Sequence, residues 1–273
     1  DIALRNGDLD TAEKAYGKVL ERHRGTSLKQ VDDYANLSRV LIEKGHAEGA
    51  RQIIQELKRD WRGNRQGEYA AAVMDSLCLQ AEGEPEKAKK ATEQALALYE
   101  NLAAESNPAR PVSQKITIDL AHACLATGAT EQAQTIMRKV AAENNDNPLV
   151  IAHIEGVFSR TGHADSGRAL LDQVGREIIE INNRGVMAAR SGDIAGSVRL
   201  LMEAAERVPS VQFLVNASKA ISALMEQKGW REDLAERAAS YLEQAQAKNP
   251  KDPRVLSGRE NFQRIAAKFG VAG

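Results

Sequence analysis

A glycine followed five residues later by a small side chain recurs along this 273-residue chain, and that recurrence restricts the fold more than any other feature. It appears as Gly7 with Ala12, Gly45 with Ala50, Gly83 with Ala88 and Gly128 with Ala133. Gly162 with Gly167 and Gly192 with Ser197 continue it less regularly. Each glycine lies between stretches of helical apolar periodicity. A glycine can end a helix in the left-handed conformation that other residues resist. The small residue in the following helix lets two antiparallel helices approach closely. Four residues on, a larger side chain falls on the same face: Tyr16, Ile54, Met137, Leu171 and Leu201. Thr92 takes that place in the third unit.

Successive turn glycines are 38, 38, 45, 34 and 30 residues apart. These spacings scatter around the roughly 34-residue period of the tetratricopeptide repeat. Upstream of the turns, Tyr34, Leu37, Ser38 and Leu41 occupy the large, Leu, small and large places of that family's first helix. Leu120, Ala121 and Cys124 match more loosely, and Asn183, Gly185 and Ala188 lead into Gly192. Pro209 lands where the family's closing proline belongs, and so does Pro250, after the helix holding Ala238, Leu242 and Ala245. The chain resembles a tetratricopeptide array over nearly its full length. The resemblance implies an all-α, right-handed superhelical solenoid of antiparallel helix pairs.

Prolines support the same reading. All seven fall between expected helices or in a first turn, where proline is tolerated. Expected helices run from residue 8 to 269, with separate helices at 164–174 and 176–191 on either side of Gly175. The connector from Ser106 to Val112, with Asn107-Pro108 and Pro111, is the expected bend. It divides residues 1–106 from 107–273 of one continuous array. The last helix is expected to cap it, with Arg254, Arg259, Glu260, Arg264 and Lys268 on a polar side. Val255, Leu256, Phe262, Ile265 and Phe269 form its apolar side. The chain starts at Asp1, without Met and partway into a repeat, and is expected to be a fragment or processed product.

Charge argues against nucleic acid as the partner. The 37 Lys and Arg nearly balance 38 Asp and Glu, and no basic stripe appears. Lys87, Lys89 and Lys90 alternate with Glu86 and Glu93, as on a solvated helix face. No apolar stretch reaches the length of a membrane span and no signal peptide is visible, so a cytoplasmic location is the expectation.

Candidates for chemistry are few. Cys78 and Cys124 lie within apolar helical patterns and read as buried free thiols. His46 and His163 follow turn glycines, and His23 lies at a helix end, near its C-terminal dipole. His122 and Cys124 point to different sides of a helix and cannot share a metal. Neighbouring carboxylates such as Asp32 and Asp33 point apart. No nucleotide-binding glycine loop, metal motif or acid–base dyad is present, so neither an enzyme nor a cofactor is expected. Trp61 and Trp230 sit near helix–turn junctions and read as structural anchors.

The resemblance supplies a binding surface instead. In this family two places on each first helix face the concave groove. Here they hold Asn36 and Arg39, Asp119 and His122, His153, Asn183, and Asn216 with Lys219. Met74 and Leu77 interrupt the row in the third repeat. A row of asparagines can hold an extended peptide, since an amide donates to a carbonyl while accepting from an N–H. The carboxylate clamp of chaperone-binding relatives is not expected, because Ala35, Val73 and Ile118 occupy its places. The stretch from Asn182-Asn183-Arg184-Gly185 through Val215-Asn216-Ala217 to Lys228-Gly229-Trp230 is similar to repeats following the receiver domain of bacterial response regulators. Binding of a protein or peptide partner is the expectation, in a bacterial signalling setting. Self-assembly, as a homodimer pairing through terminal helices or the convex face, is the alternative.

Overall fold

The computed structural model describes residues 8–105 and 112–271. Among them are thirteen α-helices and no strand. In chain order they are α1 (Leu9–His23), α2 (Val31–Glu43), α3 (Ala47–Asp60), α4 (Arg65–Ala81), α5 (Pro85–Glu105), α6 (Gln114–Ala126) and α7 (Thr130–Glu143). They continue as α8 (Pro148–Arg160), α9 (Ala164–Arg190), α10 (Ile194–Arg207), α11 (Val211–Lys228), α12 (Glu232–Lys248) and α13 (Pro253–Lys268). The fold class is the one the repeat implies: all-α, built from antiparallel helix pairs.

The turn glycines behave as their spacing requires. Gly45, Gly83, Gly128, Gly162 and Gly192 all have φ between 75° and 84°. Gly7 and the connector around Asn107–Pro111 lie outside the described residues. The small positions lie at the helix contacts: Ala50, Ala88 and Ala133 are fully buried, with Ala12 and Ser197 nearly so. Several helix starts are fixed by side-chain capping. Asn64 accepts from the Gly67 N–H at 3.0 Å and Asp193 from the Gly196 N–H at 2.8 Å. Pro85, Pro148 and Pro253 each open a helix.

The chain forms two compact units, residues 1–137 with 157–162, and residues 138–156 with 163–273. In the first, α2, α4 and α6 pack side by side, with α1, α3 and α5 against them. Helix α4 is enclosed on most of its circumference, with Tyr69 through Met74 all buried. Thr92 belongs to a buried hydroxyl cluster. It lies 2.6 Å from Ser76 Oγ and donates to the Ala88 carbonyl at 3.0 Å, and Thr127 reaches it at 3.4 Å. The larger apolar residue usual at that place would leave Ser76 with fewer partners.

In the second unit α9 pairs with α10, and α11 with α12, while α13 packs on both α11 and α12. The two helices expected at 164–174 and 176–191 are a single 27-residue helix, a correction to the sequence reading. Its buried face, Leu170, Val174 and Ile178, continues past Gly175 at helical spacing. A glycine inside a helix costs only about 1 kcal/mol, which is not enough to break one without a proline or a left-handed turn. Without a connector there, the local repeat spacing shortens to 30 residues.

The terminal helix is less two-sided than expected. Val255 and Ile265 are buried, but Leu256 is exposed. Its arginines tie it down: Arg254 reaches Asp146 at 3.0 Å, and Arg264 reaches Glu226 at 3.0 Å. Trp230 packs against Phe262 and Phe269, with ring centroids 6.1 and 6.2 Å away, and its indole N–H donates to Glu232 at 2.9 Å. Trp61 lies against the backbone of Gly67, where a Cβ would come within 2.3 Å of it. Lys29 lies over the Trp61 ring, 5.9 Å from the centroid.

Candidate functional site

The eight residues read as a groove row divide four to each unit. In the first unit, three of the four are inside the protein: Asn36, Arg39 and Asp119 are all below 9% exposed. Arg39 Nε donates to both Asp119 carboxylate oxygens, at 2.8 and 3.0 Å, and its Nη2 donates to the same carboxylate. Arg39 Nη1 donates to Asn36 Oδ1 at 2.9 Å. Burial by itself would pull the Arg39 guanidinium down; the charge and hydrogen bonds of Asp119 outweigh it and hold the group above its ordinary value. This pair joins α2 to α6 past the intervening α4, whose Met74 and Leu77 are buried. That is why the polar row is apolar there. A second link runs beside it, Ser113 Oγ donating to Asp32 at 2.6 Å.

His122 is half-buried beside this pair. Burial pulls its imidazole below the ordinary range, Asp119 opposes that, and Arg160 and Arg39 reinforce it. Its neighbours form an open cleft of about 190 Å³. Ile42, Leu77, Ala81 and Ala126 supply the apolar lining, and Glu43, Gln80 and Arg160 the exposed polar groups. Glu43 is open to water yet flanked by protein. Partial burial raises its carboxyl, while Arg160 and Arg39 pull the other way.

Glu43, Gln80 and Arg160 are absent from the sequence-derived row, although the register of Glu43 and Arg160 is legible in the sequence. Arg39, Leu77 and His122 lie six residues before Gly45, Gly83 and Gly128. Glu43, Ala81, Ala126 and Arg160 lie two residues before Gly45, Gly83, Gly128 and Gly162. Four residues apart on a helix is one face, so the two positions together line one cleft. The places of the chaperone clamp are closed off: Ala35, Val73 and Ile118 are at most 1% exposed.

The remaining four lie in the second unit. Asn183 is exposed on α9 and His153 half-buried on α8. Asn216 Nδ2 donates to Asn182 Oδ1 at 2.6 Å, linking α11 to α9, and Lys219 reaches Ser257 at 3.4 Å. A separate cleft of about 150 Å³ lies on this unit, with Ile178, Ile181 and Leu200 among its lining and Arg138, Arg184 and Arg207 at its edges.

Other reactive groups are ordinary structural ones. Cys78 and Cys124 are buried free thiols, pushed by burial up to about 11 and about 12. Neither is a nucleophile near neutral pH. His23 closes α1, and its Nδ1 lies 2.8 Å from Asp33. No group of three or more metal-ligating side chains and no helix long and apolar enough to cross a membrane occurs among the described residues.

No curated protein matches the chain in sequence. Among solved structures, the crystal structure of the APC/C hetero-tetramer Cut9–Hcn1 is similar at 13% identity and a TM-score of 0.40. The match covers 95% of this chain and 50% of that one, so this chain spans half its length. The complex of the TPR2AB domain of yeast Sti1 with pHSP90 is similar at 16% identity and a TM-score of 0.32, over 98% of this chain and 94% of that one. Residues 79–152, from the end of α4 into α8, match the family model described as the tetratricopeptide repeat.

Proposed function

We propose that the chain is a protein-interaction scaffold that holds a partner protein or peptide on its first-helix face. The observation that carries this is the first unit's cleft. Its floor is fixed by a buried ion pair, while Glu43, Gln80 and Arg160 remain open to a ligand. The side chains of Gln80 and Arg160 make no hydrogen bond to another described residue, so both can serve a peptide backbone. The tetratricopeptide match over residues 79–152 supports the same reading. Catalysis is not part of this reading, because the buried ionic groups of the cleft, Arg39 and Asp119, are paired with each other rather than poised for proton transfer.

The finer reading is the regulatory output region of a bacterial signalling protein, supported by the likeness of residues 182–230 to repeats that follow receiver domains. Under it, Asn183 and Asn216 extend the binding surface within the second unit.

Selection of displayed twelve-residue peptides on the intact chain tests the scaffold, followed by calorimetry on the winners. Arg160→Ala with Gln80→Ala should weaken a selected peptide about tenfold or more, with the melting temperature unchanged. A library that yields no binder to the folded chain would overturn the scaffold. Light scattering across the micromolar range addresses self-assembly, which requires a concentration-dependent dimer.

A further inference from the structure

The first unit's cleft has a charge pattern that restricts what it takes, and the inference rests on the scaffold reading above. Along the register two residues before each turn glycine, the side chains run Glu43, Ala81, Ala126, Arg160. A negative and a positive group stand at the two ends, with two methyl groups between them. Below, at the register six residues before, Arg39 is neutralised by Asp119, Leu77 is apolar and His122 is kept from charging by its burial. The bay between Glu43 and Arg160 therefore has no net charge, an apolar lining of Ile42, Leu77, Ala81 and Ala126, and about 190 Å³ of space. A cavity of about 150 Å³ suffices for a benzene-sized group.

We propose that this bay selects an extended peptide presenting one large uncharged apolar side chain, a leucine, methionine or phenylalanine, and discriminates against an acidic or basic one. The charge balance supplies the discrimination. A carboxylate entering the bay would find Arg39 already engaged by Asp119 and only the exposed Arg160 free, and an ammonium only the exposed Glu43. Pairing with such solvated rim charges contributes little. Either ion would lose hydration without gaining a free counter-charge on the floor. An apolar side chain loses nothing of the kind and gains contact with four apolar residues. Gln80, Glu43 and Arg160 at the rim then meet the flanking peptide groups, whose backbone offers both donors and acceptors.

The test uses the full chain and end-blocked Gly/Ser nonapeptides carrying Leu, Phe, Asp or Lys at the centre, titrated to roughly millimolar concentration. Nuclear magnetic resonance follows the Gln80 side-chain amide and Arg160 Nε. The Leu and Phe peptides should shift both signals saturably, and the Asp and Lys peptides at least about tenfold more weakly. Ala81→Leu and, separately, Ala126→Leu fill the bay and should abolish the Leu response. Ala81 is exposed, so its variant keeps the fold even if the other does not. Equal or tighter binding of the Asp or Lys peptide overturns the proposal, as does a Leu response that survives in folded Ala81→Leu protein. No response to any nonapeptide overturns it too. A library-selected peptide that binds Ala81→Leu as tightly as the parent leaves the scaffold standing and removes this bay from it.

Discussion

Removing Arg39 alone would strand the Asp119 carboxylate, which is 2% exposed, without its counter-charge. The expected cost of Arg39→Met is about 3–5 kcal/mol, read by urea unfolding. Exchanging both partners, Arg39→Met with Asp119→Leu, should recover most of that loss, because neither charge is then left unpaired. A double variant as unstable as the single one would contradict the assignment of this pair as a structural clasp. His122 makes a prediction of a different kind. Burial holds its folded pKa below the ordinary imidazole value, so below about pH 6.5 the unfolded chain takes up a proton that the folded chain does not. Stability from this group is present above that pH and is lost as pH falls from there through the folded value. Glu43 acts in the opposite sense, since its carboxyl is raised and protonates first in the folded chain on acidification. Comparing His122→Asn with the parent between pH 7.5 and 5.5 isolates the histidine: the variant should lose less stability over that interval.

Among the helices, glycines separate the places where the backbone is constrained from those where it is not. Gly175 sits inside α9 with ordinary helical φ, and a methyl group added there would meet nothing within 4 Å, so Gly175→Ala should stabilise the chain by up to about 1 kcal/mol. Gly185, three turns on in the same helix, is different. A Cβ there would stand 2.6 Å from Leu201 Cγ, and Gly185→Ala should destabilise by about 1–3 kcal/mol. Gly83 carries φ of +76° with open space around it, so alanine there costs about 1 kcal/mol from backbone strain alone. Thermal melts of the three variants should therefore fall on both sides of the parent. The sequence pattern identifies Gly83 as a turn, but it also suggests a break at Gly175. The reason is physical: a helical apolar face that continues through a glycine keeps the helix intact, and the pattern of glycines alone does not register that face.

For the molecule as a whole, the two units are interleaved along the chain. Residues 157–162 belong with the first unit although residues 138–156 belong with the second. Val157 and Phe158 are each about 1% exposed. A fragment ending at Glu143 lacks them, along with Arg160 of the cleft, whereas one ending at Gly162 retains all three. The longer fragment should resist limited proteolysis better and keep the cleft's peptide response, while the shorter one loses both. Equal resistance of the two fragments would count against Val157 and Phe158 as part of the first unit's core.

By itself the sequence determined the helix-pair architecture, the turn glycines and the small residues at the helix contacts. All of these depend on local backbone freedom and on period-3.6 patterning, which neighbouring residues encode. It also set the expectation of a groove-facing register on the first helix of each pair. Which members of that register remain open to a ligand was decided only by the tertiary structure. Arg39 and Asp119 are 80 residues apart in sequence, and only the packing of α2, α4 and α6 brings them together and neutralises their charges inside the protein. The ends of α2, α4 and α8 carry Glu43, Gln80 and Arg160 at the rim, and pairing between distant charges depends on helix packing and not on local periodicity.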